Sequence, residues 1–229
     1  MRAPIAVALD APDLVTMTTW AQAVGPSVDT LKIGLEVFCR DGGSAVGRAR
    51  DVAPGCRMFL DLKLHDIPAT VGGAARAVAR LAPDFLTVHA GGGPAMVGAA
   101  VAALPETRIT AVTILTSLDE ADLARVGIAG PADRAAVRLA RLAVDAGAGA
   151  IVCSPLEVRA IRDAVGPDVT LITPGVRPAG GPAQDQARVT TPEQALAEGA
   201  DLLVIGRPIT EAPDPGAAAA VLAARLARS

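Results

Sequence analysis

At 229 residues the chain fits one large domain, and a hydrophobic content of 51% supports a substantial core. A formal net charge of −3 argues against a basic face for nucleic acid or an anionic membrane, so an anionic substrate must be held by local groups. The three cysteines form no C-x-x-C pair and no ligand-spaced cluster with the only two histidines, His65 and His89. That disfavours a disulfide framework or a zinc site and points to a reducing cytoplasm.

Apolar runs begin almost at once. The first, over 5–9, is interrupted by Asp10 too early for a leader peptide and reads as a strand. No run approaches the length of a membrane span. Further candidate strands lie at 30–33, 58–62, 85–89, 109–114, 150–153, 170–172 and 202–205. Segments with helical spacing separate them, including 133–146 and 155–165, and the Ala-rich stretch 215–228 reads as a closing helix. Eight strands alternating with helices, at about 25–30 residues per unit, predict a TIM (β/α)₈ barrel occupying 1–229 as a single domain. A doubly wound open sheet is the alternative, but no G-x-G-x-x-G follows the first strand.

Chemistry in such a barrel gathers at the C-terminal ends of the strands. Taken in chain order, those ends offer Asp10, Lys32, Asp61 with Lys63, His89, Thr113 with Thr116 and Ser117, Ser154, Thr173, and Gly206-Arg207. The lysines stand out on composition alone. Of 21 basic side chains only two, Lys32 and Lys63, are lysine, and asparagine and tyrosine are absent. A GC-rich genome produces that bias. Where a generic cation suffices this chain uses arginine, so the two lysines mark places where a compact or proton-releasing charge is required.

Asp61 and Lys63 are two apart on one strand and share a face, which Lys32 and Asp10 can reach from neighbouring strands. Such charges are tolerable in an apolar barrel only if they alternate in sign and bond to one another. Asp66 follows in the loop before the next helix, where Pro68 suits the first turn. The histidines read more simply as structural, His89 within the barrel and His65 in its loop. Gly206-Arg207 closes the last strand and opens a short helix. Glycine permits close approach, the helix start offers N–H groups, and arginine supplies a fork, as phosphate sites in barrels do. The long Pro- and Gly-rich loop 174–189 lies near it.

The motifs, in order, are Ala8-Leu9-Asp10, Leu31-Lys32-Ile33-Gly34, Asp61-Leu62-Lys63-Leu64-His65-Asp66-Ile67-Pro68-Ala69-Thr70 and Val88-His89-Ala90. Val112-Thr113-Ile114-Leu115-Thr116-Ser117, Thr173-Pro174-Gly175-Val176-Arg177-Pro178, Asp185-Gln186-Ala187-Arg188 and Ile205-Gly206-Arg207-Pro208-Ile209 complete the set. Together they resemble the orotidine 5′-phosphate decarboxylase family of bacterial type. One departure is Ala69, where that family usually carries asparagine.

The resemblance implies decarboxylation of orotidine 5′-monophosphate to uridine 5′-monophosphate in pyrimidine biosynthesis, with neither metal nor cofactor. Lys63 would protonate C6, Asp61 would press on the substrate carboxylate, and Lys32 and Asp10 would hold the ribose hydroxyls. Thr116 and Ser117 would face the pyrimidine edge. Gln186, Gly206 and Arg207 would meet the phosphate, with Arg177 anchoring the loop or the substrate. Asp66, Ile67 and Thr70 would come from the neighbouring subunit, making a homodimer with shared sites. Two rival readings remain: a magnesium-dependent sugar-phosphate decarboxylase or synthase of the same barrel group, and a barrel that binds phosphate without catalysis.

Overall fold

Strand β1 (Ala3–Ala8) pairs with β2 (Val28–Gly34) on one side and with β8 (Leu202–Ile205) on the other, which closes a parallel barrel. Between them run β3 (Arg57–Leu64), β4 (Phe85–His89), β5 (Arg108–Val112), β6 (Ala150–Val152) and β7 (Thr170–Thr173), each hydrogen-bonded to the next. This is a computed structural model, and it describes residues 2–177 and 190–228. Helices alternate with the strands throughout, the arrangement of a (β/α)₈ barrel. Among the described residues no helix is long and apolar enough to cross a membrane.

Two apolar layers hold the barrel. Alternate strand residues point inward or outward. Outward-facing Ile5, Leu31, Leu60, Leu86 and Leu203 are fully buried beneath the helices. Inside, Ala6, Phe59, Phe85, Ala150, Ile172 and Leu202 form a second cluster. Phe59 and Phe85 meet edge to face there, with ring centroids 5.6 Å apart, and plug the middle of the barrel. Truncating a leucine such as Leu60 would leave a cavity costing about 2–5 kcal/mol. Several helices present alanine to the outer layer, above all Ala132–Asp145, where Ala135, Ala136, Ala140 and Ala143 are on the buried face. Small side chains let the helices lie close to the sheet.

Local chemistry sets the helix ends. Asp13 caps the helix Leu14–Val24 by accepting the Thr16 N–H at 2.7 Å, and Asp214 caps Pro215–Leu226 through Ala217. Pro68 occupies the first turn of the helix Pro68–Val78, as its position suggests. Some boundaries differ from the sequence reading. The strand expected over 109–114 stops at Val112, and Ile114 and Leu115 turn into the mouth. The helix expected from 155 opens with a 3₁₀ turn, Pro155–Glu157, because Ser154 and Glu157 form a reciprocal capping box there. Strand β3 runs on to Leu64, and its pairing with β4 is irregular between Leu60 and Leu64. Within that stretch Lys63 has φ +50°, a left-handed value that is uncommon outside glycine.

Candidate active site at the mouth of the barrel

Inward register on β3 brings Phe59 and Asp61 to one cavity wall, and Lys63 joins them there through its left-handed backbone. Lys63 Nζ donates to Asp61 Oδ1 at 2.7 Å. Lys32, from β2, places its ammonium 3.2 Å from Asp61 Oδ2 and 3.6 Å from Asp10 Oδ1. Asp10, Lys32, Asp61 and Lys63 therefore form a row of alternating sign. Burial is deepest at the centre: the side chains of Lys32 and Asp61 are 7% and 13% exposed, against 36% for Lys63 and 49% for Asp10. The central pair is shielded from salt and water, and the outer members are open to solvent.

Burial alone would push the Asp61 carboxyl upward, yet the Lys32 and Lys63 ammonium groups outweigh it and hold Asp61 below its ordinary value. Burial likewise opposes the charge on Lys32, and the carboxylates of Asp61 and Asp10 more than offset it, so its value is raised. Each charge is thus maintained by its neighbours. The row also requires room. A side chain at Gly34 would overlap the Asp10 carboxylate and come within 3.0 Å of Lys32 Nζ, so glycine at this strand end is a packing requirement.

Thr87, which the sequence reading passed over, supports the row from β4. It is fully buried. Its hydroxyl accepts the Lys63 N–H at 2.8 Å and donates to Asp61 Oδ1 at 3.1 Å. The available signal was register, since Thr87 lies two residues before His89 and so shares the inward face of β4.

Two cavities meet at this row and share Asp61, Pro174 and Val204. One, of about 150 Å³, is mainly apolar, walled by Phe59, Val112, Ile114, Leu115 and Val152 with Thr116 at its edge. Cys153 also lines it, but burial pushes its thiol far up, with Glu157 adding to the effect, so it is a neutral wall. The other, of about 600 Å³, is lined by Asp10 and Lys32 and by Arg177, Gly206 and Arg207. Trp20, Glu36, Thr210 and Glu211 line it as well and were not singled out from sequence. Together the two cavities offer apolar walls, the charged row and two arginines.

The remaining expected residues divide by location. Ser117 is exposed and does not line the cavity that Thr116 lines. Asp66, Ile67 and Thr70 are exposed at the start of the helix Pro68–Val78, outside both cavities of their own chain. Gln186 and most of the loop 174–189 lie outside the described residues. Ser154 serves the capping box, and the Thr113 hydroxyl bonds to the Val152 carbonyl at 3.2 Å. His65 and His89 lie side by side, 5.2 Å between ring centroids. Burial, then the neighbouring His65 and Lys63, keep His89 below the usual imidazole value. Among the described residues, no three His, Cys, Asp or Glu side chains gather where they could hold a metal ion.

An apolar barrel plugged by aromatic rings, with a cavity and a charged row at the carboxyl ends of its strands, is the construction of (β/α)₈ enzymes. Within that class, the chain belongs to the orotidine 5′-phosphate decarboxylase / HUMPS family, which it matches over residues 3–222. A protein of Thermobifida fusca (strain YX) named orotidine 5′-phosphate decarboxylase is 68% identical over 232 residues, covering 100% of this chain and 98% of that one. A protein of the same name from Frankia casuarinae is 56% identical over 241 residues, covering 98% and 88%. The fold is also similar to the crystal structure of orotidine 5′-phosphate decarboxylase from Lactobacillus acidophilus. That comparison gives a TM-score of 0.83 at 34% identity and covers 98% of this chain and 99% of the other.

Proposed function

We propose that this chain, acting as a single barrel domain over 1–229 in the cytoplasm, decarboxylates orotidine 5′-monophosphate to uridine 5′-monophosphate with no metal or cofactor. The observation that carries the reading is the Asp10–Lys32–Asp61–Lys63 row, buried at its centre, where an apolar cavity and an arginine-bearing one meet. A flat pyrimidine suits the first cavity, with Thr116 at its edge and Ser117 just beyond. Ribose hydroxyls suit Asp10 and Lys32. The phosphate suits Arg207 and the backbone at Gly206, with Arg177 lining the same cavity; the family resemblance assigns Gln186 to the phosphate as well.

The chemistry follows from charge. Breaking the bond from C6 to the carboxylate leaves an electron pair in the ring plane, where the π-system cannot take it up. The Lys63 ammonium stabilises that pair electrostatically and transfers its proton to C6 as carbon dioxide departs. Lys63 then recovers a proton from solvent. Asp61 faces the departing carboxylate and disfavours the bound ground state, while its charge keeps Lys63 in place. Remote binding at the phosphate orients the reacting carbon.

The working unit is a homodimer with shared sites, in which the partner subunit's Asp66, Ile67 and Thr70 complete each mouth. Their exposure supports this, as does Ile67, which leaves 65% of an isoleucine in water. Two measurements test the reading. Ultraviolet-monitored conversion should proceed in excess EDTA, and a requirement for magnesium would favour the sugar-phosphate rival. Mixing inactive Lys63→Ala with inactive Asp66→Ala protein should restore about a quarter of wild-type activity after subunit exchange, since half the dimers then hold one intact site. No recovery would sink the shared-site arrangement.

A further inference from the structure

Strand β3 must do something a regular strand does not, because it turns through a left-handed residue at Lys63. In a regular parallel ladder the Lys63 N–H would seek a backbone carbonyl on β4. It goes instead to the Thr87 hydroxyl, at 2.8 Å. A hydroxyl has one hydrogen to give and lone pairs to receive, and Thr87 gives its hydrogen to Asp61 Oδ1 at 3.1 Å. Lys63 Nζ donates to that same oxygen at 2.7 Å. Starting from the Lys63 backbone, the bonds run through the Thr87 hydroxyl and the Asp61 carboxylate and return to the Lys63 ammonium. The circuit is closed, and Thr87 is its only member outside β3.

We propose that Thr87 is a positioning residue for the reaction, holding the left-handed turn at Lys63 and the plane of the Asp61 carboxylate in one fixed relation. It reaches neither the substrate nor the reacting atoms and acts through the two side chains that do. With Oδ1 occupied by Thr87 and Lys63, Oδ2 is directed to Lys32, 3.2 Å away. The threonine γ-methyl fills its buried site, so valine removes the hydroxyl at nearly constant volume. This inference rests on the roles proposed above for Lys63 and Asp61.

The test is steady-state turnover of Thr87→Val, Thr87→Ser and Thr87→Cys beside wild type and Lys63→Ala, per folded site. Thr87→Val should lower kcat by about ten- to a hundredfold while KM stays within about threefold, as expected for one lost bond to a charged group that aligns the reacting atoms. Thr87→Ser should recover kcat to within about threefold of wild type, and Thr87→Cys, a weaker donor, should fall between. A wild-type kcat in Thr87→Val, or equal losses in the valine and serine variants, would overturn the proposal. If Thr87→Val does not fold, the serine and cysteine variants decide: equal turnover refutes it. If wild type fails to convert the nucleotide, or Lys63→Ala turns over fully, the reading of the site itself is wrong and this role for Thr87 goes with it.

Discussion

The two ends of the barrel are both rich in charge, yet they are built from different cations. At the N-terminal end, Arg57 pairs with Asp29, with Nε to Oδ2 at 2.7 Å, and stacks over the Phe85 ring at 5.0 Å. Arg108 also lies over that ring, at 5.9 Å from its centroid. Arg57 and Asp29 are about one-third exposed. At the opposite end the cations of the charged row are the chain's only lysines, one of them almost wholly buried, with Arg177 and Arg207 lining the cavity beyond them. Arginine suits the first setting, where a planar, weakly hydrated group can pair and stack at a wet surface. It does not suit the second, which needs a compact charge between two carboxylates and a proton that can leave. In a chain that writes nearly every positive charge as arginine, the lysines are confined to the charged row, while arginine serves both the structural end and the far part of the cavity beyond that row.

That contrast can be broken most directly at Lys63. Lys63→Ala should lower kcat by about 10⁴-fold or more, because a positioned acid and a preorganised charge are lost together. Single-turnover kinetics will check it, and a loss below tenfold would remove Lys63 from the centre of the reaction. Lys32→Arg, which keeps the charge, should still reduce kcat/KM by about 10²-fold, since the larger fork cannot enter the gap between Asp10 and Asp61. Near-normal activity there would mean that generic charge suffices at the chemical end too.

A third expectation concerns pH. The folded value of Asp61 lies below its ordinary 3.8, so its contribution to stability is complete above the ordinary carboxylate range and is lost as pH falls through the folded value. Lys32 has the opposite sign: its folded value lies above the ordinary 10.5, so its contribution is complete below that pH and is lost as pH rises through the folded value. Asp61→Asn should therefore flatten the acid limb of a stability profile followed by chemical denaturation. An unchanged limb would show that other carboxylates govern it. The smallest effect belongs to the other end. Arg57→Lys should leave kcat within about twofold and lower stability by less than about 1 kcal/mol, a few degrees of Tm at most. A large loss of activity there would mean that the Phe59–Phe85 plug transmits strain to the mouth.

The eight strands are legible in the sequence because each is a short apolar run bounded by polar and turn residues, and the barrel follows from their alternation with helices. Their ends are less legible. Cap chemistry at Ser154 and Glu157, and the turn after Val112, depend on which carbonyl or carboxylate lies in reach. The charged row is legible because composition and register agree on it. Lys63 and Asp61 do meet, but through a left-handed residue and not through the plain alternation that suggests their contact. Thr87 escapes notice because a β-branched residue in a buried strand already has a sufficient reason to be there. Only the position of β3 beside it reveals that its hydroxyl has work to do. Gly34 is similar, since its need for an absent side chain comes from Asp10, which lies far away in the chain.

The left-handed backbone at Lys63 bears on any attempt to move this chemistry into another protein. Grafting Asp-x-Lys onto an ordinary strand would reproduce the residue types but point the ammonium along a different line, because an extended lysine leaves its strand at another angle. The transferable unit is therefore larger than a motif. It comprises the bent end of one strand, the neighbouring strand that supplies a hydroxyl at matching height, and the glycine that leaves space beside them. A designer who copies only the letters obtains a salt bridge, whereas one who copies the bend obtains an ammonium group at the cavity wall.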